Sequence, residues 1–169
     1  MSIPAPFHCA VLLLSTAFAA AQSAAPAVNV EPIKLQGPRV LEEQTRSAAV
    51  RDYLEAWQSM SASLGQNQPG LLDRDFVGPA QENLAGTVAQ QSRLGIRTEY
   101  KDLSHDLQFV FYSPRGLSIE LVDNAEYEVQ VFDHGKALAA QRVHARYVVV
   151  LTPAELRWKV RVFQASPQA

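Results

Sequence analysis

Residues 80–112 read AQENLAGTVAQQSRLGIRTEYKDLSHDLQFVFY, and the spacing of their apolar side chains changes at Gly95. Before it, Ala80, Leu84, Val88 and Leu94 recur at helical intervals; after it, Leu107, Phe109 and Phe111 alternate. A period near 3.6 residues that gives way to a period of two predicts a helix followed by a strand with one covered face.

The pattern extends in both directions. Upstream, Val50, Tyr53, Leu54, Trp57, Met60 and Leu64 predict an amphipathic helix over residues 45–64, capped by Thr45 or Ser47 and ended by Gly65. A loop at 66–70 and a short turn at 71–73 lead to Asp75-Phe76-Val77, and Pro79 opens the next helix. Downstream, alternation predicts strands over 97–112, 117–132, 137–151 and 156–164, with a bulge near Ser104-His105. The connections SPRG, DHGK and TPAE are short enough to force antiparallel neighbours. The expected fold class is therefore α+β, with N-terminal helices packed on a curved four-stranded antiparallel meander.

The 169 residues suit one domain, and the 47% hydrophobic content suits a packed core rather than a disordered chain. A net charge of -2 exerts no global pull on nucleic acid or acidic membranes, so neither is an expected partner. Residues 1–21 hold an apolar run too short to span a bilayer as a mature helix, followed by Ala19-Ala20-Ala21. They read as a signal peptide cleaved after Ala21, which places the mature chain in the periplasm or outside the cell. The alternative is an uncleaved anchor, the one expected route to membrane contact. Cys9, the only cysteine, lies in this segment, so the mature chain would have no disulfide and no thiol nucleophile. Residues 22–44, with Pro26, Pro32 and Pro38, read as an extended Ala/Pro-rich linker, with a docked strand around 28–35 as the weaker alternative. The domain then covers 45–165, and 166–169 form a C-terminal tail.

The order of one long helix, a short second, a third and a terminal meander resembles the NTF2-like (cystatin-like cone) superfamily. The likeness rests on Val50-Arg51-Asp52-Tyr53-Leu54-Glu55-Ala56-Trp57 in helix one and on Asp75-Phe76-Val77-Gly78-Pro79 before the third helix. It implies a cone with a pocket between helix one and the concave sheet face. Ketosteroid isomerases of this superfamily use a helix-one Tyr as oxyanion donor and an Asp after the second helix as base. Tyr53 and Asp75 occupy the comparable positions. The strand pair that members commonly place between the second and third helices is not evident between Gly65 and Pro79, which favours the non-catalytic branches.

Tyr53, Trp57, Phe109, Phe111, Tyr127, Tyr147 and Trp158 are the expected pocket lining. They suit a cavity for a small hydrophobic ligand, and equally an ordinary aromatic core. Arg142, His144, Arg146, Arg157, Lys159 and Arg161 are expected on the last strands, with Arg146 opposite Arg161. They make either a basic stripe for an anionic partner or a solvated face of cross-strand ion pairs. If Tyr127 faces Val143, Glu126 meets His144 and Glu128 meets Arg142. His105 and Asp106 are adjacent in a strand and point to opposite faces, and no histidine pair has metal-ligand spacing, so neither metal nor cofactor is expected. The expected function is a non-catalytic secreted or periplasmic binding or interaction module. Its partner would be a small hydrophobic ligand or an envelope protein, with homodimerisation through the sheet face. The alternative is an isomerase or dehydratase that uses a Tyr/Asp pair.

Overall fold

The computed structural model describes residues 25–33, 35–37 and 39–166. The expected signal peptide with its cleavage site, Cys9, the first part of the linker and the last three residues of the tail lie outside them. The elements are β1 (Ala27–Val30), α1 (Glu43–Gln66), a 3-10 turn (Pro69–Leu72), α2 (Gly78–Arg93), β2 (Ile96–Tyr112), β3 (Ile119–Asp133), β4 (Lys136–Pro153) and β5 (Trp158–Ser166). The strands form one sheet in sequence order. β2 to β5 are the expected antiparallel meander, with Tyr127 facing Val143, Glu126 facing His144 and Glu128 facing Arg142.

The sheet has a fifth strand, which corrects the four-stranded expectation. Within the segment read as linker, β1 pairs in parallel with β2, Ala27 opposite Ser104 and Val30 opposite Leu107. Pro26 and Pro32 flank this strand, where a missing N–H removes nothing from the ladder. The edge of β2 carries unpaired backbone groups that need partners. β1 supplies them, Gln36 N–H donates to Val110 O at 2.8 Å, and Asn29 Nδ2 donates to Asp106 Oδ1 at 3.1 Å.

Helix α1 buries Ala49, Tyr53, Ala56, Trp57, Met60 and Leu64 against the concave face of the sheet; Tyr53, Trp57, Met60 and Leu64 belong to the predicted stripe, whereas Val50 and Leu54 are half-buried. Its ends differ from expectation. Glu42 occupies the N-cap position, and Ser47 Oγ donates to Glu43 instead of capping the helix. The helix runs past Gly65 to Asn67, which takes the left-handed conformation at φ 54°. Asparagine tolerates that region, and here its amide is used: Nδ2 donates to Ile96 O at 2.9 Å and Oδ1 accepts from Gln91 at 2.6 Å. At the far edge, Phe76 bridges Val160 in parallel, so the segment before α2 closes the outer side of β5.

Gly95 marks the change of period and also a packing constraint. Its φ is +69°, and a Cβ there would lie 2.5 Å from the His134 ring. Gly95 O accepts the His134 N–H at 2.9 Å, which ties the α2–β2 corner to the β3–β4 hairpin. In that hairpin His134 and Gly135 both have positive φ, 45° and 83°, as a two-residue primed turn requires. The His134 side chain is exposed and can move aside, so Gly95→Ala costs mainly backbone strain. We expect a loss of about 1–2 kcal/mol in urea denaturation; unchanged stability would mean that the corner relaxes freely.

Candidate functional site

Trp57 is the centre of the cone. Its ring lies 5.0 Å from His105, 5.5 Å from Tyr127 and from Tyr147, and 5.6 Å from Phe163. Tyr147 stacks on Phe163 at 4.5 Å, and the Tyr127 and Tyr147 hydroxyls share a hydrogen bond of 2.8 Å. The deep cone is therefore filled by aromatic side chains.

A line of polar groups crosses this apolar interior. Tyr53 Oη donates to Asp123 Oδ2 at 2.7 Å, and the same oxygen lies 2.8 Å from His105 Nδ1. His105 Nε2 in turn lies 2.8 Å from Asp102 Oδ2. Tyr53, His105 and Asp123 are fully buried, and Asp102 reaches the surface. Burial disfavours a charged imidazole, but hydrogen bonds to Asp102 and Asp123, together with their charges, outweigh it and raise His105 to about 9. At neutral pH it is an imidazolium between two carboxylates. Burial, reinforced by the charge of Asp123, pushes Tyr53 well above its usual range and keeps it a neutral donor. Both ring nitrogens of His105 are engaged, so it has no lone pair to offer a metal.

Beside this line, the edge of β2 opens. β1 stops opposite Ser104, and α1 next contacts the edge where Ser61 Oγ donates to Tyr100 O at 3.3 Å. The bulge between Asp102 and Ser104 falls in the gap. The result is a groove of about 900 Å³ walled by Pro26, Val28, Leu54, Trp57, Ala62, Tyr100 and Tyr127. Asp102 lines it, together with Gln58, Ser61 and Lys101.

Of the residues expected to line a pocket, Trp57 and Tyr127 line this groove. Tyr53, Phe109 and Tyr147 lie within the core cluster, Phe111 packs beside Gly37, and Trp158 faces Tyr112 at the other end. The structure does not bring Tyr53 and Asp75 together as a couple, because Tyr53 is bound to Asp123. Asp75 is buried and accepts from Ser59 Oγ, from Arg74 Nε at 2.9 Å and from Arg157 Nη1 at 2.6 Å. A carboxylate holding three donors is a strut between α1 and β5, not a free base.

The six basic-stripe residues do not share one face. Arg142 and His144 meet Glu126 on the outer sheet face. Arg146 lies opposite Ser166 rather than Arg161, because the last hairpin pairs Pro153 with Trp158 and carries a bulge after Val150. Arg157 turns to the helix side and bridges Asp75 and Glu55, Lys159 Nζ donates to Asp73 O, and Arg161 packs near Gly78.

Sequence reasoning missed Asp102 and Asp123. A signal existed for the second: Leu121, Asp123, Ala125 and Tyr127 share one parity, so an acid sits on the buried face of β3. Asp102 joins His105 only because the bulge brings residues three apart to the same side, which spacing alone does not show.

No protein-family model and no curated protein matches this sequence. Among solved structures, the intermembrane-space region of the chloroplast protein ARC6 is similar at TM-score 0.63 and 16% identity, covering 76% of this chain and 98% of that one. A Novosphingobium aromaticivorans protein named for scytalone dehydratase is similar at TM-score 0.51 and 11% identity, covering 75% and 89%. At these identities the likeness is one of fold: the chain has an NTF2-like α+β architecture.

Proposed function

We propose that this chain is a non-catalytic binding module, acting outside the cytoplasm, that takes a small and largely apolar ligand in the groove between α1 and the open edge of β2. The observation that carries this reading is the division of labour around Trp57. The groove has the volume and the aromatic and aliphatic walls of a ligand site. The groups suited to acid–base work are instead occupied, Asp75 by three donors and Asp123 by Tyr53 and His105. The extracytoplasmic location rests on the apolar run and small-residue site of residues 1–21.

Calorimetric titration with a neutral aryl alcohol, 2-(1-naphthyl)ethanol, tests the groove. Wild-type protein is expected to bind it. Ala62→Trp, which fills the groove from a half-buried position on α1, weakens binding about tenfold with the circular-dichroism spectrum unchanged. Equal affinity in that variant would sink the assignment. An isomerase or dehydratase reading has one specific support, the Asp102 carboxylate held by His105 at the groove floor. In that reading Asp102, rather than Asp75, exchanges the proton, and Asp102→Asn abolishes turnover of an enone substrate.

A further inference from the structure

We propose that the groove selects organic cations, namely amines or quaternary ammonium ions carried on an apolar or aromatic body, and that Asp102 reads the positive charge. The inference rests on the groove being a ligand site and adds the class of ligand.

Three observations converge on it. The first is charge. Along the buried polar line one imidazolium stands against two carboxylates, since His105 is protonated at neutral pH and Tyr53 stays neutral. Of the two acids, Asp102 is the one that reaches the groove, since Asp123 is fully buried and does not line it. Lys101 at the rim does not offset it, because its Nζ is engaged by Glu128 Oε2 at 3.2 Å. A carboxylate surplus in a poorly hydrated setting is costly, and a cation is the species that relieves it.

The second is hydrogen bonding. Asp102 Oδ2 accepts from His105, and a quarter of the Asp102 side chain remains exposed where it lines the groove. An ammonium entering the groove meets this carboxylate beside the aromatic walls. The third is the walls. Trp57, Tyr100 and Tyr127 present aromatic rings around the same space, with Tyr100 and Tyr127 centroids 5.5 Å apart. Ring faces attract cations, and they attract no anion or neutral group comparably. A ligand that needed only an apolar site would gain nothing from an acid at its floor.

Three isosteric probes separate the two readings: 2-(1-naphthyl)ethylamine, 2-(1-naphthyl)ethanol and 1-naphthaleneacetate, titrated calorimetrically at pH 7 into the full chain. The amine is expected to bind about tenfold tighter than the alcohol, and the acid more weakly than either. Asp102→Asn is expected to remove the preference for the amine over the alcohol. If the alcohol matches the amine in wild-type protein, cation selection is overturned and the groove reading stands. If none of the three binds, both fail. The wild-type ratio of amine to alcohol needs no variant, so a poorly folded Asp102→Asn protein would not protect the proposal.

Discussion

Replacing His105 with leucine lowers the unfolding free energy by about 3–5 kcal/mol, the usual cost of removing one partner from a buried charged pair. Asp123 is fully buried and would lose its charged partner, keeping only the Tyr53 hydroxyl. Asp102 would lose its one hydrogen bond to the imidazole. Adding Asp123→Asn to His105→Leu is expected to recover part of the loss, because it removes the stranded charge.

The same group makes stability fall with alkali. The groups that face His105 are Asp102 from β2, Asp123 from β3, and Tyr53 and Trp57 from α1. Its folded value is raised to about 9, above an unfolded value of about 6.5. The imidazolium contribution is therefore fully present below about pH 6.5 and is lost as pH climbs through about 9. The size is roughly 3 kcal/mol, from about 1.36 kcal/mol per pH unit of displacement. Urea denaturation between pH 6 and 9.5 should show this loss in wild-type protein, and His105→Leu should be nearly flat over the same window. Equal wild-type stability at the two ends would refute the charged assignment.

Asp75→Ala is expected to cost about 3 kcal/mol, since three donors lose a shared charged acceptor. Ser59 loses the acceptor of its Oγ, while Arg74 and Arg157 keep Glu55 and partial access to solvent, which holds the loss at the lower end of the range for buried pairs. Where the variant folds, its affinity for naphthylethanol should match wild type, because Asp75 does not line the groove. A catalytic base would behave in the opposite way, leaving stability intact and removing activity. Thermal denaturation and calorimetry on the same preparation separate the two.

The main elements were legible because each carries a strong local signal. The stripe Tyr53, Trp57, Met60, Leu64 reads as a helix face whatever it packs on, and alternation in residues 119–133 reads as a half-covered strand. The slip near Ser104-His105 was visible as a break in that alternation and appears as the bulge between Asp102 and Ser104. β1 was less legible: four residues flanked by prolines have little intrinsic preference, and it is the unpaired edge of β2 that makes them a strand. The basic residues misled because alternation assigns faces only when register is known: the last hairpin turns two residues later than expected, pairing Pro153 with Trp158, and the bulge after Val150 shifts the register by one more.

The site divides in the same way. That an acid and a histidine occupy buried positions follows from parity, Asp123 with Leu121 and Ala125, and His105 with Leu107 and Phe109. That they meet each other, Asp102 and Tyr53 depends on residues up to 70 positions apart. Hydrophobic periodicity by itself determined which segments are helix and strand and which side of each is buried, because those properties arise from neighbours along the chain. Only the tertiary structure decided that the cone was filled, where the groove opened and which carboxylate reached it, because side-chain volume, strand register and buried charge are balanced between segments that the sequence keeps far apart.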